Sequence, residues 1–175
     1  MTARIRPATP ADIPAVMRLE RSEGYAAFVG RWDAEQHGAE MRVPGSRYLV
    51  AAEGAGDLAG FVLLQGLDDP HGCATLRRIA VARPGEGLGA ALIAAAQAAA
   101  FAAPAVHRLQ LRVYPENARA RRAYRGAGFV EEGLMRDVSR QADGSYRSMV
   151  LMAVLRPDWT ARAAEPPADR RGRAC

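Results

Sequence analysis

Ile79-Ala80-Val81-Ala82-Arg83-Pro84-Gly85-Glu86-Gly87-Leu88-Gly89-Ala90 decides how this chain is read. The apolar run from Ala74 to Val81 reads as a strand, and the alanine-rich stretch from about Gly87 to Ala102 reads as a long helix. Three glycines stand where one becomes the other. Without side chains, backbone N–H groups can approach an anion closely. The first turn of the helix adds unpaired donors and the positive end of the helix dipole. A phosphate or pyrophosphate is the natural guest. A bare strand-to-helix turn would need fewer glycines, because each one costs backbone entropy on folding.

Two well-known anion-binding designs can be weighed on residues alone. A Walker phosphate loop ends in Gly-Lys-Ser/Thr, and this chain contains no lysine. The dinucleotide pattern G-x-G-x-x-G/A is formally met by Gly85, Gly87 and Ala90, which leaves an NAD(P)-dependent oxidoreductase as one alternative. That pattern normally follows its first strand directly and wants an acid about 20 residues on. Here Ala82-Arg83-Pro84 intervenes, and the next strand offers Arg112. Too little chain follows for the second half of a doubly wound sheet.

Working outward, Arg4 to Ala8 reads as a short strand, and Thr9-Pro10-Ala11-Asp12 as the start of a helix running to about Ser22. A second helix is predicted from about Trp32 to Met41. Strands follow at 47–52 and 58–67, joined by the turn Gly54-Ala55-Gly56-Asp57. Downstream of the alanine-rich helix, Arg108 to Val113 alternates like a half-exposed strand. Asn117 can cap a helix running to Gly126, with Gly128 as its stop. Strands at 129–138 and 146–155 close the pattern. Residues 1–159 are expected to form one domain of mixed α/β (α+β) class, with hairpins arguing for antiparallel pairing. The remainder, 160–175, is Ala-, Arg- and Pro-rich and is expected to be a disordered tail.

At 175 residues with 49% apolar content, the chain is long enough for a real core. No run approaches the roughly 18 apolar residues of a membrane helix. The first residues lack the apolar core of a signal peptide, so a cytoplasmic location is expected, with no membrane partner. Cys73 and Cys175 do not make a disulfide framework. His37, His71 and His107 are scattered, and no metal site is expected. All 24 basic residues are arginine, giving a formal net charge of +5. No nucleic-acid-binding module accompanies that charge, so nucleic acid is not the expected partner; a basic surface also suits a ligand rich in phosphates.

Arg78-Ile79-Ala80-Val81 and the glycine turn resemble the central strand and coenzyme A-binding motif of the GNAT superfamily of N-acetyltransferases, Q/R-x-x-G-x-G/A, with Gly87 and Gly89 as the motif glycines. Pro84 stands at the first motif position, with Arg83 one residue early. Asn117 to Phe129 resembles a second signature of that superfamily, N-x-x-A-x-x-x-Y-x-x-x-G-F. Glu132 to Asp137, Asp143 to Tyr146 and Met152 resemble the ending of ribosomal-protein N-terminal acetyltransferases.

The resemblance implies a GNAT fold: a mixed, mostly antiparallel sheet of about seven strands flanked by about four helices, with a splayed central strand pair. It implies acetyl-coenzyme A as co-substrate and an amine acceptor, either a protein N-terminus or a small amine. Ile79, Ala80 and Val81 would pair with the pantetheine arm, and one N–H there would stabilise an oxyanion. Gly85, Glu86, Gly87, Leu88, Gly89 and Ala90 would hold the pyrophosphate. Asn117, Ala120 and Tyr124 would contact the arm, and Tyr124 would act as general acid. The strand position where some relatives place a basic Glu is Arg112 here. Glu116, Glu20 and Glu23 are therefore the candidate bases, each read also as a plain surface carboxylate. The aromatic stretch Gly24 to Trp32, with Asp68, Asp69 and His71, is the candidate acceptor surface. Dimers are frequent in the superfamily, so a homodimer is an expectation. The Arg112 substitution also admits a coenzyme A-binding module without turnover.

Overall fold

The structure is a computed structural model that describes residues 3–25, 28–53 and 57–164. Thirteen elements follow in chain order: β1 (Arg4–Pro7), a 3-10 turn (Pro10–Asp12), α1 (Ile13–Glu20), α2 (Ala34–Glu40), β2 (Arg47–Glu53), β3 (Asp57–Gln65), β4 (Cys73–Val81), α3 (Leu88–Phe101), β5 (Arg108–Val113), α4 (Ala118–Gly126), β6 (Val130–Arg140), β7 (Tyr146–Leu155) and α5 (Arg156–Ala164). The strands form one sheet in the order β1-β2-β3-β4-β5-β7-β6. Every neighbouring pair is antiparallel except β4 with β5. This is the expected α/β architecture with a seven-stranded sheet, and among the described residues five α-helices flank it where about four were expected.

The predicted helix from Thr9 to Ser22 is divided. Pro14 has no N–H, so the α-helical bond back to residue 10 is missing; the chain makes a 3-10 turn first and only then an α-helix. Asp12 secures the junction. Its carboxylate accepts two bonds from the Arg6 guanidinium at 2.8 Å and one from the Thr9 N–H at 2.7 Å. The Arg6 hydrogen bond outweighs burial and holds the Asp12 pKa down at about 2. At α2, Asp33 and Gln36 form a capping box.

Residues 160–164, placed in the tail by sequence, belong to α5, whose Trp159 ring packs 5.1 Å from that of Phe101. Arg156, the first residue of α5, donates to the carbonyls of Phe101 and Ala103 at 2.8 and 2.7 Å. It thus neutralises the negative end of α3 and satisfies carbonyls the helix leaves unpaired. Residues 165–175 and the predicted turn residues 54–56 lie outside the described residues.

One polar cluster is sealed into the core. Glu20, at the end of α1, and His37, in α2, are both fully buried. The Glu20 carboxylate accepts from Arg78 of β4 at 2.8 Å and lies 3.2 Å from His37 Nε2. His37 Nδ1 reaches the Tyr48 hydroxyl at 2.9 Å, and Arg78 lies 4.1 Å above the Trp32 ring. Burial pushes the Glu20 pKa up, but the His37 hydrogen bond and the Arg78 charge together bring it below its ordinary value. Glu20 is thus neither a surface carboxylate nor a poised base.

Removing the carboxylate leaves Arg78 buried without its counterion. Glu20→Ala is therefore expected to lose about 3–5 kcal/mol in urea denaturation; a loss below about 1 kcal/mol would show that the cluster is energetically idle. Because the folded Glu20 pKa is depressed, its contribution is complete above the unfolded value of about 4.3 and fades as pH falls through the lower folded value. Glu20→Gln should flatten that acid limb.

Candidate functional site

The site begins where the parallel pair gives out. β4 and β5 are paired at only three positions, Cys73 with Arg108, Ala74 with Leu109 and Thr75 with Gln110. Beyond them the strands part, and a cleft of about 480 Å³ opens between residues 76–81 and the end of β5. Each strand stays stiff because its outer neighbour holds it: β3 is paired with β4 as far as Val81, and β7 pairs with all of β5. Within β4 the register slips by one residue. Leu63 faces Arg78 while Leu64 faces Leu76, so Arg77 is an extra, bulged residue.

The glycine turn forms one end of the cleft. Gly85 and Gly87 have φ of 98° and 84°, left-handed conformations that glycine adopts without strain. Gly87 is the N-cap of α3 and offers no side chain, so no side chain claims the first amides of the helix. Gly89 is different. Its φ is not positive, and an added Cβ would meet nothing within 4 Å. Neither the backbone nor packing demands glycine there; the smallness leaves space for a ligand at the helix N-terminus. Arg83, one residue before Pro84, is occupied with Glu53 at 2.6 Å and Glu86 at 3.0 Å, which ties the turn to β2.

Most of the predicted coenzyme contacts meet in this cleft. Ile79, Ala80, Val81, Gly85, Gly87, Gly89 and Ala90 line one wall, and Asn117, Ala120 and Tyr124 line the other. Glu86 and Leu88 do not line it. Not all of the splayed strand's backbone is free, as the resemblance implied. Val81 donates its N–H to the Tyr25 hydroxyl at 3.0 Å. Tyr25, Phe28 and Val29 close the cleft from the α1–α2 connection, whereas Trp32 is committed to Arg78 and His37. Ala26 and Ala27 of that stretch lie outside the described residues.

Asn117 caps α4, its Oδ1 accepting the Ala120 N–H at 3.1 Å. The amide nitrogen then remains to donate toward the cleft. Tyr124 is buried, with its ring edge-on to Phe129 at 5.8 Å. Burial, and then the nearness of Tyr25, push the Tyr124 pKa well above the usual tyrosine value, so the phenol keeps its proton.

The remaining candidates fall away from the cleft. Glu116 does not line it and is exposed in an ion pair with Arg147; its own backbone amide and the Arg147 hydrogen bond lower its pKa. Glu23 is exposed and outside the cleft, and Asp69 is spent on its own turn, accepting from His71 and Cys73 N–H groups. Asp68 and His71 do not line it either. Conversely, Arg77 and Arg78 line the cleft, and sequence reading gave them no site role. Among the described residues no group of three or more His, Cys, Asp or Glu could hold a metal ion, and no helix is long and apolar enough to cross a membrane.

The fold is shared with solved structures. A spermidine N-acetyltransferase from Vibrio cholerae, in complex with CoA and spermine, superposes with a TM-score of 0.77 at 22% identity, covering 91% of this chain and 98% of that one. The ribosomal-protein-S18-alanine N-acetyltransferase from Escherichia coli gives 0.70 at 24% identity, covering 87% and 93%. If the space beside Gly89 belongs to a ligand, Gly89→Leu should keep or slightly raise thermal stability, because leucine is the better helix former by up to about 1 kcal/mol. The same change should weaken acetyl-coenzyme A binding at least about tenfold by calorimetry; unchanged binding would remove this helix end from the coenzyme site. The family model described as the acetyltransferase (GNAT) family matches residues 13–129, and the chain belongs to that family.

Proposed function

We propose that this chain transfers the acetyl group of acetyl-coenzyme A to a primary amine, a protein N-terminus or a small amine, by direct attack. The observation that carries the proposal is the rigid cleft between β4 and β5, closed at one end by an uncapped helix start rich in glycine. That end suits the pyrophosphate, and the β4 edge left unpaired by β5 offers backbone partners to the pantetheine arm. Asn117, whose Oδ1 is taken by the α4 cap, donates its amide N–H to an arm carbonyl.

In the reaction the amine nitrogen attacks the thioester carbonyl carbon, giving a tetrahedral oxyanion. The C–S bond then breaks, the thiolate takes a proton from the Tyr124 hydroxyl, whose raised pKa keeps it protonated at neutral pH, and the proton shed by the acylated nitrogen passes through water to restore the phenol. A β4 backbone N–H facing the gap stabilises the oxyanion; that of Val81 is already engaged by the Tyr25 hydroxyl. No carboxylate with a raised pKa stands among the described cleft residues. The acceptor therefore enters as the neutral amine or loses its proton to water.

Thiol release from acetyl-coenzyme A across a panel of amines tests the proposal directly, and no release with any amine would overturn it. Tyr124→Phe is expected to bind acetyl-coenzyme A normally yet lose about 100-fold in kcat; an unchanged kcat removes Tyr124 from the chemistry. Glu116→Gln should leave the pH–rate profile unaltered, and loss of its acid limb would restore Glu116 as base.

A further inference from the structure

The wall of the cleft away from the glycine turn is cationic. The bulge adds Arg77 to β4 beside Arg78, and the two differ in exposure: Arg78 is buried against α1, whereas Arg77 is exposed at the cleft. Arg78 contacts Glu20 of α1 and the Gly30 carbonyl, and Arg77 feels Glu40 of α2. Arg112 of β5 joins them at the cleft. Loss of hydration lowers the Arg77 pKa, and the positive charges of Arg78 and Arg112 lower it further against the opposing pull of Glu40. Glu40 is itself held by Gln65 at 2.8 Å and by Ser46.

Among the described residues neither Arg77 nor Arg112 has an ion-pair partner. Arg78 is paired through one end only, and among the described residues its buried Nε–H has no acceptor. Such a donor normally finds one. The pyrophosphate end of the cleft is far off, since four strand residues from Arg77 to Val81 already span about 13 Å. These cations thus lie at the reacting end, where the acceptor enters. A polyamine would meet like charge there, whereas a carboxylate would meet guanidinium forks that match its geometry.

We propose that the acceptor is a small amine that also carries a carboxylate, as a free amino acid does, and that Arg77 and Arg112 receive that carboxylate. The proposal rests on the acetyl transfer argued above. With its carboxylate on the arginines, the amino nitrogen of such a molecule faces the thioester. The carboxylate takes no part in bond making; it orients the acceptor.

The test uses the full chain with saturating acetyl-coenzyme A. Amino acids are compared with their decarboxylated counterparts, such as phenylalanine with phenethylamine, and with spermidine and a peptide amide lacking any carboxylate. The amino acid is expected to exceed its decarboxylated partner at least about tenfold in kcat/KM. Arg112→Gln and Arg77→Gln should each raise the amino-acid KM about tenfold while the acetyl-coenzyme A Kd stays constant, and Arg112→Lys should recover part of the loss. Equal or better use of phenethylamine, spermidine or the peptide amide overturns the proposal, as does an unchanged KM in both glutamine variants. Acetylation without regard to a carboxylate sinks this inference alone; no acetylation of any amine sinks acetyl transfer with it.

Discussion

The structure depends on a parallel ladder that stops after three positions. A central strand usually spends its N–H and C=O groups on both neighbours, and leaving them unpaired in a core costs free energy. Here β4 spends one edge on β3 along its length but the other on β5 only at Cys73, Ala74 and Thr75. The gap does not close because both strands are fixed from outside, β4 by β3 and β5 by β7. The bulge at Arg77 bends β4 where it leaves its partner. Tyr25 then satisfies the Val81 N–H from across the gap, so the wedge holds its shape as a protein cavity.

The second constraint is the buried cluster around Glu20, which links α1, α2, β2 and β4 through one carboxylate. A buried ion pair adds little net stability over a well-packed apolar substitute, yet losing one partner is severe. Its effect here is positional. Arg78 is pinned to α1 and to the Gly30 carbonyl, and Trp32 is clamped between Arg78 and His37. The connection between α1 and α2 is thereby anchored beside the cleft, with Tyr25, Phe28 and Val29 presented to it.

Much of this was legible in the sequence because the signals are local. The glycine turn, the Asn117 cap and the alternation of β5 each lie within a few residues and predict their elements closely. What escaped depends on distance along the chain. Glu20 looks like any helix-end carboxylate until Arg78, 58 residues away, arrives beside it. Arg77 looks like one of many arginines until folding sets it, as the bulged residue of β4, beside Arg78 and Arg112. The last helix was missed although Pro157 and Asp158 are good first-turn residues, because the composition after Trp159 reads as polar tail. Its packing partner, Phe101, could not be named from sequence.

The arginine count illustrates the same limit. A net charge of +5 describes the chain as a whole and distinguishes no site. Folding sorts that charge by local pairing. Arg6 is answered by Asp12, Arg83 by Glu53 and Glu86, Arg108 by Glu132, and Arg121 and Arg125 by Glu131. The more exposed of these pairs contribute little to stability, but all of them cancel field where they form. The cations left without such pairs then shape the potential, and Arg77 and Arg112 are both in the cleft wall. A low-dielectric cleft sharpens the field of any charge it exposes. The cleft wall therefore carries a charge that the bulk composition does not localise, because Arg77, Arg112 and Arg119 line it with no ion-pair partner among the described residues.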